Sequence, residues 1–147
     1  DFLGRAVRFV NERVWGTLCV TLLVHPESER DPRCAAALAE ALEALRYGTV
    51  AINLWPAAGF SLGSTPWGAH PSGSPSDIQS GRGFIGNTLM LEGIEKTVLR
   101  APFRMVPKPI WFPDHRTLGT LGRRVTELER TGSWTRFPAV ALAAFRG

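Results

Sequence analysis

The chain has 147 residues, 44% of them apolar and 20% charged, enough apolar material for the core of one ordinary domain and too much for a disordered tail or a disulfide-stapled miniprotein. The longest run without a charge or a proline, Val14 to Val24, covers about half a bilayer span and no charged-then-apolar leader opens the sequence, so a soluble, cytoplasmic protein with no membrane partner is expected. The net charge of +4 is unevenly spread, because residues 1–102 carry 9 basic and 10 acidic groups and residues 103–147 carry 8 and 3.

Leu3, Ala6, Val7, Val10 and Val14 recur at helical spacing from the third residue, and Asp1 is not a Met, so the chain is expected to start inside an element of something longer. Thr17 to Val24 is an apolar, β-branched run of the kind that forms a strand buried on both faces. Asp31 offers an N-cap and Pro32 suits the first helical position, which predicts a helix over Cys34 to Leu45 closed by Gly48. Thr49 to Leu54 is a second apolar strand. The order strand, helix, strand predicts a right-handed βαβ crossover in a parallel sheet, so the fold class is α/β.

Residues 55–83 form a long loop rich in Gly, Pro and Ser that also holds Trp55, Phe60 and Trp67. Three large aromatics in a loop of this length imply an ordered segment that lines something. Phe84 to Leu91 is expected as a short helix and Thr97 to Ala101 as a strand. Val106 to Pro113 is Pro-punctuated and extended. Leu118, Leu121, Val125 and Leu128 mark one face of an amphipathic helix, which Gly119 and Gly122 weaken.

No nucleophile and base arrangement can be assembled from the remaining residues. His25, His70 and His115 sit beside or near prolines, where a solvated side chain is expected. Cys19 and Cys34 have no ligand partners at metal spacing and read as buried thiols in a reducing compartment, with Cys34, in a first helical turn, the more reactive candidate. Glu40 with Glu43 and Glu127 with Glu129 read as solvated helix faces. Gly81, Gly83 and Gly86 match G-x-G-x-x-G, but no strand precedes them and no acidic residue follows at the ribose-binding distance, so a structural turn is expected there. In residues 103–147, pairs such as Phe103-Arg104 and Trp134-Thr135-Arg136-Phe137 interleave aromatics with positive charge. Such interleaving serves a groove for single-stranded nucleic acid or, alternatively, lets Arg stems pack over aromatics at a contact. Fifteen of the 17 basic residues are Arg, which fits anion recognition or a compositional habit.

Taken in order, these segments resemble the carboxy-terminal part of the aldehyde dehydrogenase superfamily. Asn11-Glu12-Arg13-Val14-Trp15-Gly16-Thr17-Leu18 is similar to the family's Asn-to-aromatic-Gly helix end, and Tyr47-Gly48-Thr49-Val50-Ala51-Ile52-Asn53 to its Gly-x-Val-x-x-Asn strand. Pro66-Trp67-Gly68 stands where the family has Pro-Phe-Gly. Ser80-Gly81-Arg82-Gly83-Phe84-Ile85-Gly86 matches its Ser-Gly-x-Gly-x-x-Gly, and Glu95-Lys96-Thr97-Val98 is similar to a strand that joins an oligomerisation sheet. The resemblance covers residues 7–99 and implies a parallel-sheet βαβ segment of an aldehyde dehydrogenase-like catalytic domain over 1–102, followed by a basic, aromatic extension over 103–147.

The resemblance implies an NAD(P)-dependent oxidoreductase as the parent, with NAD or NADP bound upstream and none by this piece alone. The nucleophilic Cys and general-base Glu would also lie upstream, so no catalytic and no metal-binding residue is assigned here. Its partners would be the upstream part of the same enzyme and further copies of it, not nucleic acid. Trp67 would face the substrate and cofactor cleft, with Trp55 and Phe60 in the aldehyde funnel; the alternative is that Trp67 plugs a core. Residues 69–79 lengthen the loop beyond the family's pattern. The competing class is a non-enzymatic binding or assembly module whose basic tail contacts nucleic acid or another acidic partner.

Overall fold

The computed structural model describes residues 2–86 and 91–147, which divide into two compact units, Asp1–Phe103 and Arg104–Gly147. In the first unit the opening periodicity forms α1, Phe2–Arg13. Strand β1, Cys19–Leu22, follows, then a short helix α2, Pro26–Arg30, and helix α3, Pro32–Ala44. The Asp31 carboxylate accepts from the backbone N–H groups of Arg33 and Cys34 at 2.8 and 3.1 Å, which satisfies two of the donors that a helix start leaves open.

Helix α3 ends before Gly48. Leu45 is already extended (φ −65, ψ 126), and the carbonyls of the last turn are taken by a cation from a distant segment. Lys96 Nζ donates to Leu42 O at 3.2 Å, Glu43 O at 2.8 Å and Leu45 O at 2.7 Å. Gly48 has a different task. A Cβ there would overlap the carbonyl oxygen of Gly68 and lie 2.9 Å from its carbon, so only glycine lets these backbones approach.

Strand β2, Thr49–Ile52, is central and buried along its whole length. It pairs in parallel with β1 and with the later strand β5, Thr97–Arg100, giving the sheet order β1-β2-β5. On one face Val50 packs with Val20 and Leu22 against Val7 of α1 and Ala41 of α3, with Leu45 and Tyr47 completing the cluster. Burial of a side chain the size of Val50 or Ile52 is worth about 2 kcal/mol. Asn11 ties α1 to the end of α3, donating to Ala44 O at 2.7 Å and accepting from Arg46 N at 2.9 Å.

The opposite face is covered by helix α4, Ala58–Leu62, whose Gly59 leaves 3.3 to 3.4 Å between an added Cβ and the side chains of Leu99, Thr49 and Trp67. This cover reaches β2 and β5 but leaves Thr21 of β1 exposed and Leu23, just beyond the strand, 80% exposed. The expectation of a first strand buried on both faces is therefore corrected, because β1 is, among the described residues, an edge strand paired with β2 alone. Glu95-Lys96 leads into β5, and the strand expected over Thr97 to Ala101 is observed over Thr97–Arg100, beside β2.

Phe84 and Ile85, expected in a helix, form strand β4 instead, paired antiparallel with strand β3, Trp67–Gly68. The rest of that expected helix falls largely outside the described residues. The second unit holds α5, Leu118–Thr131, a short 3-10 turn over Trp134–Arg136, and α6, Phe137–Phe145. Val106 to Pro113, expected as extended, is bent, and Phe112 N donates to Pro109 O at 3.2 Å to close a turn. Leu121, Ala143 and His115 are the buried side chains of this unit. Among the described residues no helix is long and apolar enough to cross a membrane.

Candidate functional site

The long loop leaves the carboxyl end of β2, the position where open α/β sheets place their ligand crevices. Its first residue after the strand is Asn53, held at φ 57. The Asn53 side chain accepts from Val24 N at 2.8 Å and donates to Val24 O at 2.9 Å, closing the end of the sheet as a strand pair would. Trp55 follows, 54% exposed. Helix α4 then carries Phe60 to the ring of Trp67, edge to face, with centroids 6.1 Å apart and planes at 73°. Of the three aromatics read from the sequence, Phe60 and Trp67 are thus brought together.

Trp67 is half-buried, with its inner edge over Gly59 and the sheet face. Its strand is fixed from both sides. Thr97 Oγ1 donates to the buried carbonyl of Pro66 at 3.0 Å, and a Cβ on Gly68 would lie 2.7 Å from the Phe84 Cα of β4. A small cavity of about 130 Å³ adjoins this strand, lined by Gly48, Pro66, Gly68, Phe84, Glu95 and Lys96 among others.

Gly81, Gly83 and Gly86 take φ values of 115, 79 and 80, so each sits where an L side chain is strained. Gly86 also approaches the backbone of the α4–β3 connection, where a Cβ would lie 2.6 Å from Thr65 O. A phosphate cradle needs a strand before the glycines and a helix N-terminus after them. Here a turn precedes, with Gly81 N donating to Ile78 O at 2.8 Å, and the two-residue β4 follows. The motif does not fit a dinucleotide pyrophosphate. It instead brings Gln79 and Ser80 to the start of β1, where their side chains accept from Gly16 N and Thr17 N, each at 2.8 Å.

Segment 69–79 is locked down by a residue expected to be solvated. His70 is only 9% exposed. Its Nδ1 accepts from Ser72 N at 3.2 Å and lies 2.9 Å from Ser72 Oγ, so Nε2 carries the proton and donates to Glu95 Oε1 at 3.1 Å. Glu95 also meets Lys96 Nζ at 2.9 Å. The hydrogen bond from Lys96 first, and that from His70 second, hold the Glu95 carboxyl below the usual carboxylate range. The loop is thereby joined through Glu95 and Lys96 to the end of α3.

His115 is also buried, donating from Nε2 to Ala144 O at 3.1 Å, whereas His25 is exposed and caps α2 by accepting from Glu27 N at 3.3 Å. The reading of solvated histidines therefore holds for His25 alone. A histidine near proline gave no local sign of burial, because Glu95 and Ala144, the acceptors at Nε2 of His70 and His115, are 25 and 29 residues away. The reading of two buried thiols is corrected too: Cys34 is exposed and Cys19 half-buried, with burial pushing the Cys19 thiol up. Glu40 and Glu43 lie exposed on α3, while Glu127 pairs with Arg130 and Arg136. Among the described residues no group of three or more His, Cys, Asp or Glu is placed to hold a metal ion. No family model, curated protein or solved structure matches the chain.

Proposed function

We propose that the chain is the carboxy-terminal part of an NAD(P)-dependent aldehyde dehydrogenase-like oxidoreductase, in which it supplies sheet strands, one wall of the substrate tunnel and contacts between copies. The observation that carries the reading is the position of Trp67. The residue that stands in the Pro-Phe-Gly place is held edge to face with Phe60 on the loop leaving the carboxyl end of the central parallel strand. The ordered run of motifs from Asn11 to Glu95-Lys96-Thr97-Val98 supports the same assignment. NAD or NADP belongs, in this reading, to the part of the enzyme that precedes these residues, since the glycine turn offers no pyrophosphate cradle.

In the parent, a thiolate would add to the aldehyde carbon and a bound nicotinamide would supply the hydride acceptor, leaving a thioester that water cleaves to release the acid and the thiol. This chain contributes none of the reacting groups. Trp67, Phe60 and Trp55 present apolar area to an aldehyde's carbon chain and exclude water from it. The test is the coding sequence upstream of Asp1 together with the activity of its product. A nucleophilic Cys motif and a Glu-x-Phe-Gly-Pro-like strand upstream, with NAD(P)-dependent aldehyde oxidation by the full-length protein, are expected. An upstream sequence lacking both, or a full-length protein that binds neither nucleotide, contradicts the proposal.

A further inference from the structure

The second unit holds a groove that the aldehyde dehydrogenase reading does not use. It lies between α5 and the start of α6, has a volume of about 500 Å³, and is lined by Arg123, Arg124, Glu127, Arg136 and the hydroxyl-bearing Thr120 and Thr135. Its one carboxylate is already committed. Glu127 receives Arg130 through both oxygens, at 2.9 and 2.6 Å, and Arg136 at 3.3 Å, and these arginines hold its carboxyl below the usual range. Arg124 Nη1 donates to Ala139 O at 2.6 Å, which fixes one guanidinium across the groove. Among the described residues Arg123 meets only the hydroxyl of Thr120, at 3.4 Å, and is exposed.

A guanidinium carries five donors in a fork. Arg124 and Arg136 each commit one, and Arg123 one weak contact, so the groove offers a surplus of planar N–H donors beside two hydroxyls. That combination matches the tetrahedral, multiply accepting oxygens of a phosphate. An exposed aromatic, Trp134, immediately precedes the groove residues Thr135 and Arg136 in the chain. It is 77% exposed and meets Phe137 at a centroid distance of 5.9 Å and a tilt of 49°.

The geometry points to this groove as a binding site for single-stranded nucleic acid, with a backbone phosphate among Arg123, Arg124 and Arg136 and a neighbouring base stacked on Trp134. Single strands are selected because a duplex hides the base faces that an indole would stack on. The +5 balance of residues 103–147 supplies the long-range attraction. The inference stands apart from the oxidoreductase reading and survives if that reading fails.

The test is fluorescence anisotropy of a labelled oligothymidylate of about 12 nucleotides, a length that covers one site of ordinary size, titrated with the whole chain. Three arginine contacts predict a log–log salt slope near −2, or a loss of about 20-fold in affinity between 50 and 200 mM salt. Arg123→Glu is expected to weaken binding about tenfold or more and to flatten the slope by at least about 0.7. Trp134→Ala is expected to weaken it by about tenfold with the slope unchanged. Both side chains are exposed, so the variants are expected to melt like the parent, and matched circular-dichroism melts check this. No binding at 50 mM salt, equal binding of a duplex, competition by a mononucleotide or inorganic phosphate as strong as by the oligomer, or undiminished binding by both variants overturns the site.

Discussion

Lys96 is the residue on which the sheet and the crossover helix converge, and its removal is the most informative perturbation of the fold. Its side chain is 11% exposed, and Nζ spans the last turn of α3 by donating to three carbonyls within 3.2 Å while meeting Glu95 at 2.9 Å. Lys96→Met keeps the apolar stem and deletes the ammonium. Bonds to a charged donor are worth about 1.5 to 3 kcal/mol each, but the three are not additive and part of the loss is recovered when water reaches the Glu43 carbonyl. The expected loss is about 3 kcal/mol, including the favourable placing of a cation at a helix C-terminus. For a chain of this size that lowers the thermal midpoint by about 10 °C. Chemical denaturation of Lys96→Met beside the parent chain reads the difference at constant slope. A loss below about 1 kcal/mol, the value of an ordinary exposed ion pair, refutes the cap as the device that ends α3.

Thr49 Oγ1 and Thr17 Oγ1 are, among the described residues, the buried side-chain polar atoms without a hydrogen-bond partner, and Thr49 is fully buried in β2. Thr49→Val replaces the orphaned hydroxyl with a methyl of the same shape and is expected to stabilise the chain by about 1 kcal/mol in denaturant titrations. Gly122 lies within α5 with nothing within 4 Å of an added Cβ, so Gly122→Ala is expected to raise stability by about 1 kcal/mol and to increase helicity in the far ultraviolet. The carboxyls of Glu95, Asp114 and Glu127 are each held below their usual range, chiefly by hydrogen bonds from Lys96, Lys108 and Arg130 respectively. A folded-state value below the unfolded one gives stability that is present at neutral pH and is lost as pH falls below about 4. The thermal midpoint is therefore expected to fall in that window, and Glu95→Gln is expected to reduce the dependence.

How much of this was legible in the chain depended on the range of the contacts involved. The cap at Asp31 and Pro32 was readable because its partners are two and three residues away. The parallel order was readable because each strand is a local apolar run and the helix between them carries its own start signal. Strand β4 was not, since its ladder partner among the described residues is Trp67–Gly68, and two residues give no period. Gly48 read as a helix stop because glycine after a helix is common, whereas its neighbour Gly68 is 20 residues on. Helix α6 was missed for the opposite reason. Phe137-Pro138-Ala139-Val140-Ala141-Leu142 is apolar all round and shows no polar face. Of the candidate site, Phe60 and Trp67 were found as aromatics in a long loop, but their pairing depends on Gly59, and the lock of His70 on Glu95 left no local signal.

The proposed place of Trp67 in an aldehyde-binding wall is tested most directly by steady-state aldehyde oxidation by the proposed parent enzyme carrying Trp67→Ala. Loss of a large apolar contact of about 1.5 to 3 kcal/mol predicts a kcat/KM lowered by about 10- to 100-fold, carried mainly by KM and growing with the length of the aldehyde's carbon chain. A variant that folds like the parent and keeps its KM for every aldehyde contradicts the account.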